Sequence, residues 1–534
     1  MAIGLEDLPA ELLDNVVILV RELSDLSAIC LTSQTLRAVA TPHLYHNFPV
    51  TRRILESLAE GGSSMLSRSN PGLKHVRSVK IQNIGPSGRK ACTFLCRLLN
   101  LLQRDSLSTA ALENVDVDEE TFSSLFSQQQ KLQDFELGAA NLKRPYPSAY
   151  FGEAVWDRLR SLTVPRCVAN AHDLGFYRHI LSHAPLLQKL SLTTFEATSA
   201  ALSDRLHDSS TQDGVLLPTL FPNIANGAAP KLLLKELVLQ DQSLCRPGQV
   251  LTKSIEFSVI QHLSLVQCSD TENLLDWMTS EIENGMECNL RSFRLEQSKL
   301  DDENIFNFLA SFDELEELYI VAYAEIDTFD VGCLDGHKAT LRKFALALPQ
   351  YCSCDLSNQC FINPILRFVK KCPVLEQVAS TLPHVEMADD LDSPATDKYG
   401  KALIDLLCLP NIKSLRIYNW PELPPDVLVD SADDEQTDVE LNEQNIRTGF
   451  EQLATFLHDL LDLYRLQLRH RDIPLIGFGS MAGSSICDGH LHEKLPSIHY
   501  RVRQDENVFG EMLFVHETLY MHDAPDDGIW KVRP

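Results

Sequence analysis

Thiols and imidazoles are the side chains here best suited to hold a metal, and four thiols lie close together: Cys352, Cys354, Cys360 and Cys372. Structural zinc asks for paired Cys-x₂₋₄-Cys spacing. These four lack that rhythm, which predicts free thiols. His490, His492 and His499 could meet on a metal, but a scatter of this kind reads as loop histidines. Gly477-Phe478-Gly479-Ser480 sets a serine among glycines. A nucleophile elbow needs glycine two residues to either side of the serine, and the spacing around Ser480 is wrong for it. Phosphate-binding loops, dinucleotide fingerprints and His-Glu-x-x-His are absent. The expectation is a chain with no catalytic residue, no cofactor and no metal.

Charge bounds the partners. Acidic side chains outnumber basic ones 74 to 47, a net charge of −27. Such a field repels phosphate backbones and anionic lipid. The small basic spot Arg465, Arg469, His470 and Arg471 is too little to offset it. Neither nucleic acid nor membrane is expected as a partner, and no run approaches the roughly 18–20 apolar residues of a span. Fourteen cysteines without framework spacing fit a reducing compartment, cytoplasm or nucleus. With 44% apolar and 23% charged residues over 534 positions, the chain has ample material for a large core.

The first fifty residues predict three short helices. Leu8-Pro9-Ala10-Glu11-Leu12-Leu13 opens the first, with proline tolerated at the first helical position. Leu8, Leu12, Leu13, Val16, Val17 and Val20 recur at helical spacing. Ser24-Asp25 predicts the cap of a second helix carrying Leu26, Ile29 and Cys30. A third follows with Leu36, Val39 and Ala40, and Pro42 should stop it. A segment this short buries little by itself. Its surplus aliphatics imply either a partner or packing onto the rest of the chain.

Leu8-Pro9-x-Glu11-Leu12-Leu13, then Asp25-Leu26, then Ala40-Thr41-Pro42-x-Leu44-Tyr45 resembles an F-box of the kind common in fungal proteins, over roughly residues 5–48. The resemblance implies a three-helix motif that docks a Skp-type adaptor and, through it, a cullin. Carried over by position, it places Leu8, Pro9, Leu12, Leu13, Val16, Leu26 and Ile29 on the docking face. Many family members have tryptophan where this chain has Leu36.

From about residue 70 one spacing returns: apolar, two others, apolar, one other, apolar. It reads as Val76-Val79-Ile81, Leu112-Val115-Val117, Leu132-Phe135-Leu137, Leu159-Leu162-Val164, Leu187-Leu190-Leu192 and Leu234-Leu237-Leu239. It continues as Ile260-Leu263-Leu265, Leu290-Phe293-Leu295, Leu315-Leu318-Ile320, Leu341-Phe344-Leu346 and Ile412-Leu415-Ile417, with a degraded copy at Leu375 and Val378. This is a leucine-rich-repeat signature of irregular length. Each copy is a short strand that cannot bury its inward face alone, so neighbours stack into a solenoid. Cys167 and Cys268 fall where a turn wants a side chain to satisfy backbone groups. Between strands, Phe94/Leu95/Leu98/Leu99/Leu102, Leu274/Leu275/Met278/Ile282 and Ile305/Phe308/Leu309/Phe312 each make one helical face.

The predicted class is α/β: a short N-terminal three-helix F-box over residues 1–50, a linker over 51–72, and an irregular leucine-rich-repeat solenoid over 73–424, a curved parallel sheet with outer helices. Loop insertions are expected near 196–231 and 385–400. Residues 425–445 hold eight acids and no Lys or Arg and predict a flexible acidic loop. Residues 446–534 predict an amphipathic helix (Ile446, Phe450, Leu453, Leu457, Leu460, Leu461, Tyr464) and a capping region with strands near 498–502 and 511–520. Together these imply a non-catalytic subunit that recruits an unknown protein substrate to a Skp–cullin–F-box ubiquitin ligase. The rival expectation is a repeat scaffold with no ubiquitin role.

Overall fold

A computed structural model describes the chain apart from residues 1–4, 6–7, 21, 53, 56–65, 82–87, 113–118, 139–155, 168–170, 195–216, 218–219, 222–229, 245–246, 298–301, 323–329, 348–363, 383–397, 419–454, 465–474, 479–497, 507–511 and 520–534. Two compact units divide it: Met1–Gln261 with Cys268–Asn273, and His262–Gln267 with Leu274–Pro534.

In the first unit the apolar triplets become strands β1 (Asn47–Val50), β2 (Ser78–Ile81), β3 (Thr109–Leu112), β4 (Asp134–Leu137), β5 (Ser161–Cys167), β6 (Lys189–Thr194) and β7 (Glu236–Gln240). Each pairs in parallel with the next in sequence. Helices Gly88–Leu101, Glu119–Gln128 and Ala171–His183 lie between strands in the chain. The triplet residues point to the helix side: Phe135 meets Phe122 edge-on, and Phe126 packs on Trp156 with ring centroids 4.6 Å apart. A backbone ladder runs beside the strands, from Arg77 N–H to His46 O, Ser108 N–H to Arg77 O, Gln133 N–H to Ser108 O, and onward through Arg160, Gln188 and Lys235. Parallel strands in sequence order with a helical return between them are the repeat architecture that the spacing predicts.

The second unit repeats the plan with β8 (His262–Val266), β9 (Ser292–Gln297), β10 (Glu317–Ala322), β11 (Lys343–Ala347), β12 (Gln377–Ser380), β13 (Ser414–Ile417) and β14 (Leu475–Phe478), all parallel. Then β15 (Ile498–Glu506) and β16 (Met512–Leu519) add on antiparallel, ending the parallel series. Phe293 packs against Phe308 of helix Asp302–Ala310, and Phe344 against Phe368, so the core again lies between strands and helices. Both units are α/β and built of stacked strand–helix repeats, as expected.

The sequence pattern misplaces several details. The copy read as Leu112-Val115-Val117 is Leu107-Ala110-Leu112, because β3 ends at Leu112. A central alanine hid it. Residues 113–118 lie outside the described part. β1 is a rung inside the span read as the F-box, and β14 is a rung that the triplet count omits. Cys268 does satisfy backbone: its thiol donates to Leu239 O at 3.3 Å. The Cys167 side chain lies outside the described residues, as do Cys352, Cys354, Cys360, His490, His492, Ser480, the acidic segment 425–445, and most of the two expected insertions. The helix expected from Ile446 is described over 455–463, and Phe456, Leu457, Leu460 and Leu461 are its buried residues.

Candidate protein-docking face at the N-terminal helices

Pro9 is the residue before α1 (Ala10–Val17), and its carbonyl accepts from the amides of Leu12 and Leu13. The expected Ser24-Asp25 cap is not used. Helix α2 (Leu23–Thr32) begins before that pair, with Glu22 at its N-cap. Ser33 caps α3 (Gln34–His46), its hydroxyl accepting from Leu36 N–H at 3.2 Å. Pro42 does not stop α3, which runs on to His46. An internal proline costs a helix about 3 kcal/mol in isolation. Tertiary packing overrides that cost: Leu44 packs on the motif's core, and Tyr45 lies against Gly72, where an added Cβ would sit 2.5 Å from its ring.

Three contacts hold the bundle. Arg37 Nε donates to Cys30 O at 2.8 Å, joining α3 to the end of α2. His43 Nε2 and Asp14 Oδ1 lie 2.6 Å apart, joining α3 to α1. Val17, Leu26, Cys30 and Ala40 form a small core, with Val20, Ile29, Val39 and Leu44 packed around it. Leu36, at the position where many F-boxes carry tryptophan, is buried.

Residues placed on the docking face by sequence therefore divide. Leu13 and Leu26 point inward, 1% and 4% exposed, so neither can present a side chain to a partner. Ile29 and Leu8 are half-buried. Pro9, Leu12 and Val16 stand in water. Sequence reasoning omitted a larger set. Leu5, Ile18, Leu19, Leu23 and Leu31 are also exposed, Leu19 just after α1 and Leu31 on α2 at 77% each. Elsewhere among the described residues, Leu186, Leu233 and Leu463 are the exposed large apolar side chains. Singly exposed leucines are ordinary; seven such residues within one stretch of 27 are a concentration found nowhere else among the described residues. Leu12 and Val16 follow at i and i+4 on α1, about 100° around the helix from the buried Leu13 and Val17, and Leu19 lies just past the helix end. The doubled leucine Leu12-Leu13 could have signalled this, since adjacent helical residues face apart.

The architecture defines a class: a repeat protein of parallel strand–helix rungs preceded by three short helices, the first two of which expose apolar side chains. No protein-family model matches the chain, and no curated protein matches it. Among solved structures it is similar to yeast Rad7 in its complex with Elc1, at 13% identity and a TM-score of 0.38, over 78% of this chain and 97% of that one. No helix of the described residues is long and apolar enough to cross a membrane.

Proposed function

We propose that the chain is the substrate-recognition subunit of a Skp–cullin–F-box ubiquitin ligase. It docks the adaptor through its N-terminal helices and holds a protein target on its repeats. It carries no catalytic residue; ubiquitin is transferred by other subunits. One observation carries the reading: exposed leucines, isoleucine and valine gather on and beside the first two of three helices whose motif resembles an F-box. Covering each such side chain is worth about 1.5–3 kcal/mol, enough in aggregate for a stable contact. The resemblance says what kind of protein covers it.

The experiment is co-purification of the full chain with a Skp-type adaptor, set beside a Leu12→Asp/Leu19→Asp variant. Both positions lie in water, so the variant keeps its fold. Expected is recovery of adaptor with the natural chain and at least tenfold less with the variant. Equal recovery with both, or none with either, removes the proposal. Failure to bring down a cullin alongside the adaptor would favour the scaffold reading instead.

A further inference from the structure

On four neighbouring rungs of the first unit the triplet opens with a buried leucine: Leu132, Leu159, Leu187 and Leu234. The residues on either side of each are exposed, because the buried leucine turns them outward. They include Lys131 before β4, Arg158 and Arg160 before β5, Leu186 before β6, and Leu233 and Lys235 before β7. The backbone holds these stretches side by side. Arg160 N–H donates to Gln133 O, Gln188 N–H to Arg160 O, and Lys235 N–H to Gln188 O. The outward residues therefore form one strip along the edge where the four strands begin. With rungs about 4.8 Å apart, the strip is about 15 Å across.

Two features set this strip apart. Leu186 and Leu233 occupy the same place in adjacent repeats, so they stand next to one another in water, 52% and 57% exposed. Lys131, Arg158, Arg160 and Lys235 make no ion pair among the described residues. Nearby acids are engaged elsewhere: Asp105 accepts from Gln130 N–H, Asp134 from the Thr109 hydroxyl, and Glu236 pairs with Lys189 at 2.6 Å. Asp157 is the exposed exception. The strip fades toward β2, where the Arg77 guanidinium turns back onto the carbonyls of Lys74 and Val76. The second unit handles the same positions differently. Its bases there pair with acids, Arg291 with Glu316 and both Arg342 and Lys413 with Glu376. In place of the two leucines it has Asn289, Glu314, Thr340, Val374 and Asn411, none an exposed large apolar side chain. Four uncompensated cations beside an apolar pair, in a chain of net charge −27, form a local field of opposite sign to the whole.

We infer that this edge of the first unit docks an extended acidic segment of a protein partner, its acids set beside a pair of apolar side chains. Arg158, Arg160, Lys131 and Lys235 meet the carboxylates, and Leu186 and Leu233 cover the apolar pair. An extended chain rises about 3.3–3.6 Å per residue, so about five residues cross the strip. Complementary charge fixes the register of such a segment and speeds its arrival; the apolar pair supplies the burial that holds it. Nucleic acid fits less well. Phosphates would leave both leucines in water, and the charge of the whole chain repels a polyanion. The inference does not rest on adaptor docking; within the ligase reading the segment belongs to the target.

The test is selection of short random peptides, displayed on phage, against the full chain. Expected is enrichment of acidic peptides with two large apolar residues. The most enriched one, made with a fluorescent label, should bind saturably by anisotropy and weaken as sodium chloride rises. Leu186→Ser/Leu233→Ser and Arg158→Gln/Arg160→Gln should each weaken it about tenfold or more. Leu12→Asp/Leu19→Asp should leave it unchanged. All the altered side chains are exposed, so each variant should melt with the natural chain. Enriched peptides without acids, or equal binding by the natural chain and either strip variant, overturns the inference. So does single-stranded DNA that binds as tightly as the peptide and displaces it. Self-association of the natural chain that the leucine variant loses makes a second copy the occupant and overturns it too. Loss of binding in Leu12→Asp/Leu19→Asp moves the peptide to the N-terminal helices, with the same result. Adaptor co-purification should be the same for the strip variants as for the natural chain, so the two proposals fail separately.

Discussion

Single side chains can hold a rung together. His337 is fully buried; its Nδ1 accepts from Leu315 N–H at 3.2 Å and its Nε2 donates to Leu309 O at 2.9 Å. Gln129 does the same work in the first unit, its Oε1 accepting from Leu107 N–H and its Nε2 donating to Gln103 O. Imidazole and carboxamide are thus interchangeable at this place in the repeat, but only imidazole titrates. Burial lowers the His337 pKa below its ordinary 6.5, against smaller upward pulls from the Leu309 carbonyl and Asp313. Protonation would also convert the Nδ1 acceptor into a donor facing Leu315 N–H. The unfolded chain therefore takes up this proton more readily than the folded one. The stability His337 contributes is present above about pH 6.5 and lost as pH falls through the lower folded value. His337→Gln should keep the fold and flatten the fall in Tm expected of the natural chain between pH 7 and 5. His337→Ala should cost about 2–4 kcal/mol at pH 7.5, because two buried backbone groups lose their partners. Urea titrations across pH measure both, and an unchanged pH slope in His337→Gln would assign the acid sensitivity elsewhere.

At the scale of strands, the residues that precede β9 to β13 alternate in sign: Arg291, Glu316, Arg342, Glu376 and Lys413. Arg291 pairs with Glu316, and Glu376 reaches both Arg342 at 3.7 Å and Lys413 at 2.9 Å. Each pair is partly exposed, so each is worth about 0.2–1 kcal/mol and is screened by salt. Glu376→Gln should cost about 0.5–1 kcal/mol in dilute buffer and much less in 1 M sodium chloride, read from urea midpoints. A cost that does not shrink with salt would mean the carboxylate acts by packing. None of this ladder could be read from the sequence, because it depends on register: the five residues are far apart in the chain and meet only when the strands align. The apolar triplets were legible for the opposite reason. They are local, spaced by the strand itself, and their side chains vanish into the core whatever the loop lengths between them. Where the triplet carried a small residue, as at Ala110, the pattern lost its mark and the rung was read five residues late.

The same distinction governs the exposed apolar residues of the N-terminal helices. That some would stay exposed was legible, since a short segment rich in leucine cannot bury all of it. Which leucines stay out was not, because Leu12 and Leu13 differ only in which side of α1 they occupy, and that is fixed by where Leu26 and Ala40 pack. Likewise Arg294 and Arg416, which look isolated in sequence, share a row only through four strand registers.

For the molecule as a whole, the question is where the repeats begin. Helix α3 ends at His46 and β1 starts at Asn47, paired with β2 over all four residues. Phe48 stacks toward Phe94 of helix Gly88–Leu101 with ring centroids 6.3 Å apart, and Phe48 and Val50 are both buried. The N-terminal helices therefore run directly into the first rung, which also caps the edge of β2. An uncapped parallel edge exposes unpaired backbone and apolar side chains, and repeat arrays depend on a terminal unit to cover them. A chain beginning at Asn47 should lack the exposed apolar helices yet remain soluble. A chain beginning at residue 51 should melt lower and aggregate on heating, because Val79, Ile81 and Phe94 lose their cover. Calorimetry and size-exclusion chromatography of the two trimmed chains decide it. Equal Tm and equal monomer recovery would show that β1 belongs to the helices and that the repeats cap themselves from β2.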